Sequence, residues 1–269
     1  MLDANTKSTK LKVVCVQMDS KLECPDENYD HAEEIIIQAI EEQPDVIVLP
    51  ECFENYGKLK ERLAEICSRD GDKVKARIGG LAKKYKVNIV AGTVLDMHNG
   101  KIYNTAYVFD RCGECVAAYD KIQLVYPSEF AYCVEGDSLC TFVLDGVKCG
   151  IMVCNDLKFP EPIRKLALDG IDILFVPSAW PESTMYRLEP LRLARAIENQ
   201  FFVVNCNSCC AAPGKVNGGR SVIIDPSGRI IAIAGKNEEI ISAECDLQKI
   251  EKSREGGQSI FQRRRPELY

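Results

Sequence analysis

Histidine is almost absent from this chain of 269 residues, which contains only His31 and His98. Neither lies in a recognisable motif, and this disfavours a cysteine–histidine protease mechanism, which needs an imidazole beside the thiol. No apolar run approaches the length of a membrane span, and segment 11–17 is too short and too polar to be a signal peptide. The sequence therefore predicts no membrane partner.

A strong charge bias and linker-like segments are also missing. The chain carries 34 basic and 40 acidic residues with both signs interspersed, so we expect no nucleic-acid partner and no anionic membrane surface as a partner. No Pro/Gly/Ser-rich or low-complexity stretch divides the sequence, and 46% hydrophobic residues suffice for a sizeable core. We predict one domain over residues 11–269, preceded by an N-terminal extension over residues 1–10.

Cysteine, by contrast, is abundant, with 14 residues. Several of them lie inside apolar, strand-like runs, where a free cysteine behaves as a small hydrophobic residue. Secreted domains that depend on disulfides are normally far shorter than this chain. The cysteine content therefore favours a reducing compartment, and we predict a cytoplasmic protein.

The hydrophobic pattern alternates between short strand-like runs and amphipathic helical segments. Ala32, Ile35, Ile36 and Ala39 share one face of a helical period. Helices are predicted at 28–42, 58–68, 74–86, 161–169 and 186–199, and strands at 12–17, 45–50, 88–92, 103–109, 115–119, 139–144, 147–153, 172–176, 201–205, 220–224, 229–234 and 240–244. Hairpin turns are predicted at Asn99-Gly100, Cys112-Gly113 and Ser227-Gly228. This mixture predicts an α/β protein with a mixed sheet or a two-sheet sandwich flanked by helices.

Three residues with useful chemistry directly follow predicted strands. Glu51 follows 45–50, Lys121 follows the strand that ends at Asp120, and Cys154 stands at a strand-to-helix turn. Backbone N–H groups at such a turn favour the reactive thiolate and could bind a developing oxyanion. A base, a cation and a nucleophile at strand ends could converge on one cleft.

The segments around these residues resemble the Glu, Lys and Cys signatures of the nitrilase superfamily of carbon–nitrogen hydrolases. They read Leu49-Pro50-Glu51, Tyr119-Asp120-Lys121-Ile122-Gln123-Leu124 and Val153-Cys154-Asn155-Asp156-Leu157-Lys158-Phe159-Pro160-Glu161. Further resemblance lies in 194–200, 225–228 and 264–269, so it extends from about residue 11 to the end of the chain. The resemblance implies a single-domain, four-layer α-β-β-α sandwich that needs no cofactor and no metal. It also implies a homodimer or higher homo-oligomer, with helix 186–199 and the C-terminal tail in the interface.

The resemblance also implies a role for each signature residue in hydrolysing a non-peptide C–N bond of a small linear amide. Cys154 would be the nucleophile that forms a thioester, and Glu51 would be the general base and then the general acid. Lys121 and the backbone N–H of Asn155 would stabilise the oxyanion. An ordinary thiol has a pKa of about 8.5 and is mostly protonated at neutral pH. Glu51 suits the role of base if burial raises its pKa towards neutrality.

Two further residues are candidates for the substrate pocket. Glu129 lies eight residues beyond Lys121 and resembles the additional glutamate of the family, which orients the lysine and the substrate amide. Trp180 is the only tryptophan and follows 177–179 at a strand end, where the family builds its substrate pocket. Taken alone, Glu129 could be an exposed loop acid and Trp180 a plain core or interface aromatic.

Departures from the family pattern bear on the substrate. Asn155 stands where the family often has Tyr or Trp, and Gln123 stands where it often has His. Neither change removes a catalytic group, but both alter the pocket wall. The signatures are similar to those of the omega-amidase branch, which implies a small amide that carries a carboxylate. Candidate cations for that carboxylate are Lys158, Arg187 and Lys215.

Other functions remain open from the sequence. The same three residues could attack a ureido carbonyl, which makes an N-carbamoyl amine or amino acid the alternative substrate, whereas a nitrile is less favoured. A catalytically silent protein with the same fold is a second alternative. A third is a metal-binding protein, because cysteines cluster at 112–115 and 206–210 with spacings that could hold zinc or an iron–sulfur cluster.

Overall fold

The first strand, β1 (Lys10–Gln17), is covered on both of its faces. Val13 and Cys15 pack in a core between two sheets, whereas Val14 and Val16 pack in a second core beneath helices. Alternate side chains of a strand point to opposite faces, so an almost continuously apolar run is typical of a strand buried on both sides. The burial pattern of this one strand already implies a layered architecture.

Two large sheets form the centre of the computed structural model, which describes residues 9–54, 63, 67–212, 215–255 and 259–268. The first sheet has the order β15-β1-β2-β4-β5-β6, with β3 paired to β4, and the second has the order β14-β13-β10-β9-β8-β7. Their other strands are β2 (Val46–Val48), β3 (Ser68–Arg69), β4 (Asn88–His98), β5 (Lys101–Phe109), β6 (Cys115–Asp120), β7 (Cys140–Leu144), β8 (Val147–Ile151), β9 (Ile173–Ser178), β10 (Phe202–Asn207), β13 (Val222–Ile224), β14 (Ile230–Ile233) and β15 (Glu239–Asp246). A small hairpin consists of β11 (Ala211–Ala212) and β12 (Lys215–Val216).

Helices cover the outer face of each sheet. They are α1 (Pro25–Ala39), α2 (Asp72–Val74, a π-helical Lys75–Gly79 and Gly80–Tyr85), α3 (Pro160–Leu168), α4 (Met185–Asn199) and α5 (Gln248–Arg254). Helix α1 begins at Pro25, which suits the first turn because that turn needs no N–H donor there. Its buried Ile35 and Ile36 each stabilise the packing by roughly 1.5–3 kcal/mol. Helices α1 and α2 pack on the first sheet, and α3 and α4 contribute to the core of the second, so the four-layer α-β-β-α sandwich is confirmed.

Most predicted elements are present, and all three predicted hairpin turns join antiparallel strand pairs. Strand β4 continues to His98, six residues beyond the predicted end at residue 92, because Gly92 and its positive φ allow a bulge after which pairing with β5 resumes. The predicted helix 58–68 lies largely outside the described residues, and its last residue, Ser68, belongs to strand β3 instead of a helix. The short β3, β11 and β12 and the helix α5 were not predicted, since segments of two to seven residues show little periodicity. Among the described residues, no helix is long and apolar enough to cross a membrane.

Candidate active site

The strand directions bring the predicted site residues together. Strands β2 and β4 are parallel and β5 and β6 follow as antiparallel neighbours, so Glu51 after β2 and Lys121 after β6 lie at the same edge of the first sheet. Strands β8 and β9 are parallel, which places Cys154 and Ala179 at one edge of the second sheet. All four residues line a single cavity of about 310 Å³. Two carboxyl-end edges from packed sheets therefore build one cleft, as the sequence predicted.

The backbone beside Glu51 depends on a glycine. Gly92 has φ +58°, and a Cβ at this position would stand 2.0 Å from the carbonyl oxygen of Pro50. A residue with a side chain would push away the segment that leads into Glu51, and it would also be strained in the left-handed region. The bulge in β4 at Gly92 therefore lets the end of β2 reach its position in the cleft.

Cys154 opens the 3₁₀ turn Cys154–Lys158 with φ +47°. A non-glycine residue with positive φ is uncommon and is found repeatedly at functional sites. The turn is held by Asp156, whose Oδ2 accepts a hydrogen bond of 2.8 Å from the backbone N–H of Val153. The N–H of Asn155 lies in the first turn of this helix, where N–H groups have no partner within the helix. The nucleophile candidate and an oxyanion-binding donor are thus adjacent.

Lys121 is buried between two carboxylates. Its Nζ lies 2.7 Å from Oε1 of Glu51 and 2.9 and 2.8 Å from Oε1 and Oε2 of Glu129. Only 1% of Lys121 is exposed, and both glutamates are buried as well. Glu129 is therefore part of the site, and its interpretation as an exposed loop acid is wrong. The backbone N–H of Val125 also donates to Oε2 of Glu129 at 2.6 Å and fixes this carboxylate.

Further contacts, which the sequence did not indicate, complete the cluster. The side-chain amide of Asn104 donates to Oε1 of Glu51 and to Oε1 of Glu129, both at 2.9 Å. The backbone N–H of Ala179 donates to Oε2 of Glu51 at 2.8 Å. Asn104 lies within β5, in no motif, and only the pairing of β5 with its neighbours brings it beneath the two glutamates. A buried polar residue in an otherwise apolar strand is the only signal that could have identified it.

The charges of the resting site differ from the sequence-based expectation. Burial alone would raise the pKa of Glu51, but the Lys121 charge and hydrogen bonds from Lys121, Cys154 and Asn104 outweigh it, and the pKa of Glu51 is lowered. Burial and the Glu51 charge raise the pKa of the Cys154 thiol well above its ordinary value, although Lys121 and the Ala179 N–H oppose this. The expectations of a raised Glu51 pKa and of a favoured thiolate are therefore wrong. At rest the pair is a neutral thiol and an ionised carboxylate.

Lys121 keeps its positive charge. Burial on its own would lower the pKa of this ammonium group. The charges of Glu51 and Glu129 outweigh burial and raise the pKa well above its usual value. A permanently charged donor therefore stands beside the thiol and the carboxylate.

The wall of the cavity also includes an aromatic ring and exposed cations. Trp180 is buried, and its Nε1 donates to the carbonyl of Thr184 at 3.1 Å. Lys158 Nζ lies 5.1 Å from the centroid of the Trp180 ring. Lys158 and Arg187 both line the cavity, and neither has a carboxylate at ion-pair distance within the described part of the chain. The side chain of the third predicted cation, Lys215, lies outside the described residues.

The two cysteine clusters, at 112–115 and 206–210, lie in different environments. Cys112 and Cys115 are exposed at the β5–β6 hairpin, whereas Cys206 is buried between the sheets with its Sγ 3.3 Å from the carbonyl oxygens of Val16 and Val48. All 14 cysteines are free thiols. Within the described ranges, no group of three or more His, Cys, Asp or Glu side chains is arranged to hold a metal ion.

Known proteins with similar sequences include amide-hydrolysing enzymes. Residues 12–255 match the carbon-nitrogen hydrolase family. The 2-oxoglutaramate amidase of Bacillus subtilis is 38% identical over 261 residues, which cover 97% of this chain and 100% of the relative. The omega-amidase NIT3 of Saccharomyces cerevisiae is 31% identical over 96% of this chain and 94% of the relative.

Solved structures show the same fold. The crystal structure of Saccharomyces cerevisiae Nit3, a member of branch 10 of the nitrilase superfamily, superposes with a TM-score of 0.85 at 31% identity, covering 92% of this chain and 94% of that chain. A mutant of the amidase from Nesterenkonia sp. AN1 in complex with butyramide superposes with a TM-score of 0.84, covering 96% of this chain and 95% of that chain. At 24% identity the second likeness concerns the fold alone.

Proposed function

Because this chain belongs to the carbon–nitrogen hydrolase family and is an amide-hydrolysing enzyme, we propose that Cys154, Glu51 and Lys121 are its catalytic residues. The observation that carries the proposal is the position of Glu51, whose carboxylate accepts a hydrogen bond of 2.7 Å from Lys121 Nζ and lines the same cavity as Cys154. A base, its proton source and a fixed cation thus stand in one buried cluster. This arrangement is what nucleophilic catalysis by a thiol requires when no histidine is at hand.

Acylation begins when Glu51 accepts the Sγ proton of Cys154 as sulfur attacks the carbonyl carbon of the amide. The Lys121 ammonium and the backbone N–H of Asn155 stabilise the negative charge that develops on the carbonyl oxygen. The intermediate collapses as Glu51 gives the proton to the departing nitrogen, so that ammonia leaves and a thioester remains on Cys154. Water, deprotonated by Glu51, then hydrolyses the thioester, and the proton returns to the thiol.

The raised pKa of the thiol is compatible with this sequence. Burial disfavours a separate thiolate, so the proton moves to Glu51 as the carbon–sulfur bond forms rather than beforehand. The lowered pKa of Glu51 keeps the base ionised at neutral pH. Glu129, which contacts Lys121 and shares Asn104 with Glu51, holds the lysine in place and supplies a carboxylate to orient the substrate amide.

The cavity favours a small linear amide with a carboxylate at its far end. Its volume of about 310 Å³ admits a small molecule. Lys158 and Arg187 offer positive charge at the wall, and the Trp180 ring, 5.1 Å from Lys158 Nζ, offers an apolar surface. The relative from Bacillus subtilis is named 2-oxoglutaramate amidase, and such an amide is the class of substrate that we propose here.

We also propose that the enzyme is a cytoplasmic homodimer. Free thiols at all 14 cysteine positions suit a reducing compartment. Helix α4 presents Tyr186, 65% exposed, and Ile197, 43% exposed, to solvent, and such residues on one helix suit contact with a second copy of the chain. Light scattering in solution tests the oligomeric state directly.

The experiment that tests this function is a panel of amides, ureido acids and nitriles, with ammonia release as the readout. We expect amides with a terminal carboxylate to be hydrolysed fastest. Cys154→Ala and Cys154→Ser should abolish turnover while the protein stays folded, and Glu51→Gln should lose acylation. Cys112→Ser, which changes an exposed hairpin thiol, is the matched control and should keep full activity.

Two results would contradict the proposal in different ways. Hydrolysis by the Cys154→Ala protein would exclude the assigned nucleophile. Turnover of ureido compounds alone would exclude the amide substrate and favour an N-carbamoyl amidohydrolase with the same three catalytic residues.

A further inference from the structure

Asp156 is a fully buried carboxylate that the proposed mechanism does not use. Its Oδ2 accepts hydrogen bonds of 2.8 Å from the Val153 N–H and 2.8 Å from the Tyr119 hydroxyl. Its Oδ1 accepts a bond of 2.9 Å from the backbone N–H of Gln123. The carboxylate thus contacts the residue before Cys154 and the second residue after Lys121.

We propose that Asp156 is a positioning residue that fixes the nucleophile turn against the segment that carries Lys121. One oxygen holds the turn and the other holds the segment, so a single rigid group sets the spacing between the thiol and the ammonium. This inference rests on the proposed function, since it concerns the alignment of the two groups in the same reaction.

A neighbouring side chain reinforces the same link. The amide of Asn155 donates to the carbonyl oxygens of Gln123 at 3.1 Å and Leu124 at 3.2 Å. The next residue, Val125, donates to Glu129, which in turn contacts Lys121. The two Asn155 bonds run from the turn that bears Cys154 to the segment 123–124, and the Val125 and Glu129 contacts connect that segment to Lys121. Loss of Asp156 would leave the weaker neutral pair of bonds from Asn155 between the turn and this segment.

The charge of Asp156 makes this link sensitive to pH. Burial raises its pKa to about 6, opposed by the Val153 N–H, the Lys121 charge, the Tyr119 hydroxyl and the Gln123 N–H. Tyr119 and Lys121 are the titratable groups that face it, and neither releases its proton near pH 6, since the pKa of each is raised well above its ordinary value. A proton on the carboxyl group removes its negative charge, and so weakens the hydrogen bond that Oδ1 accepts from the Gln123 N–H.

Protonation of Asp156 should lower the activity. Below about pH 6 the protonated fraction of Asp156 increases, the link to Gln123 weakens, and kcat/KM falls. Glu51 has a lowered pKa, so its own protonation reduces activity only at a more acidic pH. The acid limb of the pH profile nearest neutrality therefore belongs to Asp156.

The test compares three variants over pH 4 to 9 with a single amide substrate. Asp156→Asn cannot titrate, and its amide must place an NH₂ group against an N–H donor. We expect this variant to lose roughly 100-fold in kcat with little change in KM, as a misplacement of about 1 Å would cause. Its acid limb near pH 6 should also disappear. Tyr119→Phe removes one bond that lowers the pKa of Asp156, so its acid limb should move to higher pH.

Tyr107→Phe is the matched control. It removes a tyrosine hydroxyl that donates to a different buried aspartate, Asp96, at 2.8 Å, and it should leave the acid limb unchanged. If the Asp156→Asn protein does not fold, the shift of the acid limb in Tyr119→Phe decides whether the inference holds. An unshifted limb in Tyr119→Phe, or full kcat with an unchanged limb in Asp156→Asn, would overturn the inference. The proposed function would survive that result as long as Cys154→Ala remains inactive.

Discussion

Two of the buried cations in the described part of the chain, Lys121 and Arg192, have sharply different surroundings. Lys121 is 1% exposed and lies between Glu51 and Glu129, and its pKa is raised well above the usual value. Arg192, on α4, is 2% exposed and has no carboxylate at ion-pair distance among the described residues. Its Nη1 donates instead to the carbonyl of Arg220 at 2.7 Å and to Asn205 at 3.3 Å, and burial lowers its pKa to about 10.

The difference fits the proposed catalytic role of Lys121 and a structural role of Arg192. Burial removes water from both cations, and by itself it lowers the pKa of each. Two adjacent carboxylates reverse this effect for Lys121 and keep a full charge at the point where an oxyanion would form. Neutral acceptors hold Arg192 in place without reversing the effect. Burying a charged group costs desolvation free energy, so a fully charged buried ammonium such as that of Lys121 is expected at a site where a reaction uses the charge.

Replacing each cation by methionine sharpens this comparison, and the larger effect on activity is expected at Lys121. Lys121→Met should lower kcat by about 10²–10³-fold, or ~2.7–4 kcal/mol, as for the loss of one oxyanion donor. The Lys121 charge lowers the pKa of both Glu51 and Asp156, so without the ammonium both pKa values should rise and the acid limb of kcat should move to higher pH. Steady-state kinetics across pH measures both effects. An unchanged limb would show that the Lys121 charge does not lower the pKa of these carboxyl groups.

The exposed cations of the cavity should have a smaller effect, confined to one class of substrate. Lys158→Met and Arg187→Met should each raise KM for a carboxylate-bearing amide about two- to fivefold, as expected for an exposed ion pair worth roughly 0.2–1 kcal/mol. KM for a neutral amide of similar size should not change. Lys165→Met, on the exposed side of α3, is the matched control. Equal effects on both substrates would exclude recognition of a carboxylate by these residues.

The smallest effect on activity is expected at Arg192. Arg192→Met should leave kcat within about threefold but lower the free energy of unfolding by roughly 1–3 kcal/mol, because the Arg220 carbonyl and Asn205 lose a buried donor. Chemical denaturation monitored by circular dichroism gives this value. A large loss of kcat in a stable Arg192→Met protein would contradict the assignment of a structural role.

Motifs and strand ends sufficed to predict the family, the two-sheet fold and the amide-hydrolysing activity, all of which are confirmed. Glu51, Lys121 and Cys154 were recognisable because each directly follows a strand with a characteristic local sequence. Asn104 was not recognisable, since it lies inside a strand and acquires its contacts only from the register of the sheet. Its position depends on long-range pairing, which local periodicity does not encode.

The charge states of the site could not be predicted either. The pKa of Glu51 depends on the balance between burial and the distance to Lys121, and only the packed structure sets both. Asp156 was visible within the cysteine signature, but the sequence does not reveal that its two oxygens face different segments. Local patterns indicate which residues take part, whereas three-dimensional contacts determine what state they are in.

The most direct test of the catalytic assignment is intact-mass spectrometry of the enzyme, quenched in acid during turnover of a carboxylate-bearing amide. We predict an adduct whose mass is that of the substrate minus ammonia, on the peptide that contains Cys154. The adduct should be absent from Cys154→Ala and should form far more slowly in Lys121→Met. Two results would contradict the assignment. One is steady ammonia release by the Cys154→Ala protein, and the other is an adduct on the neighbouring pocket thiol Cys52.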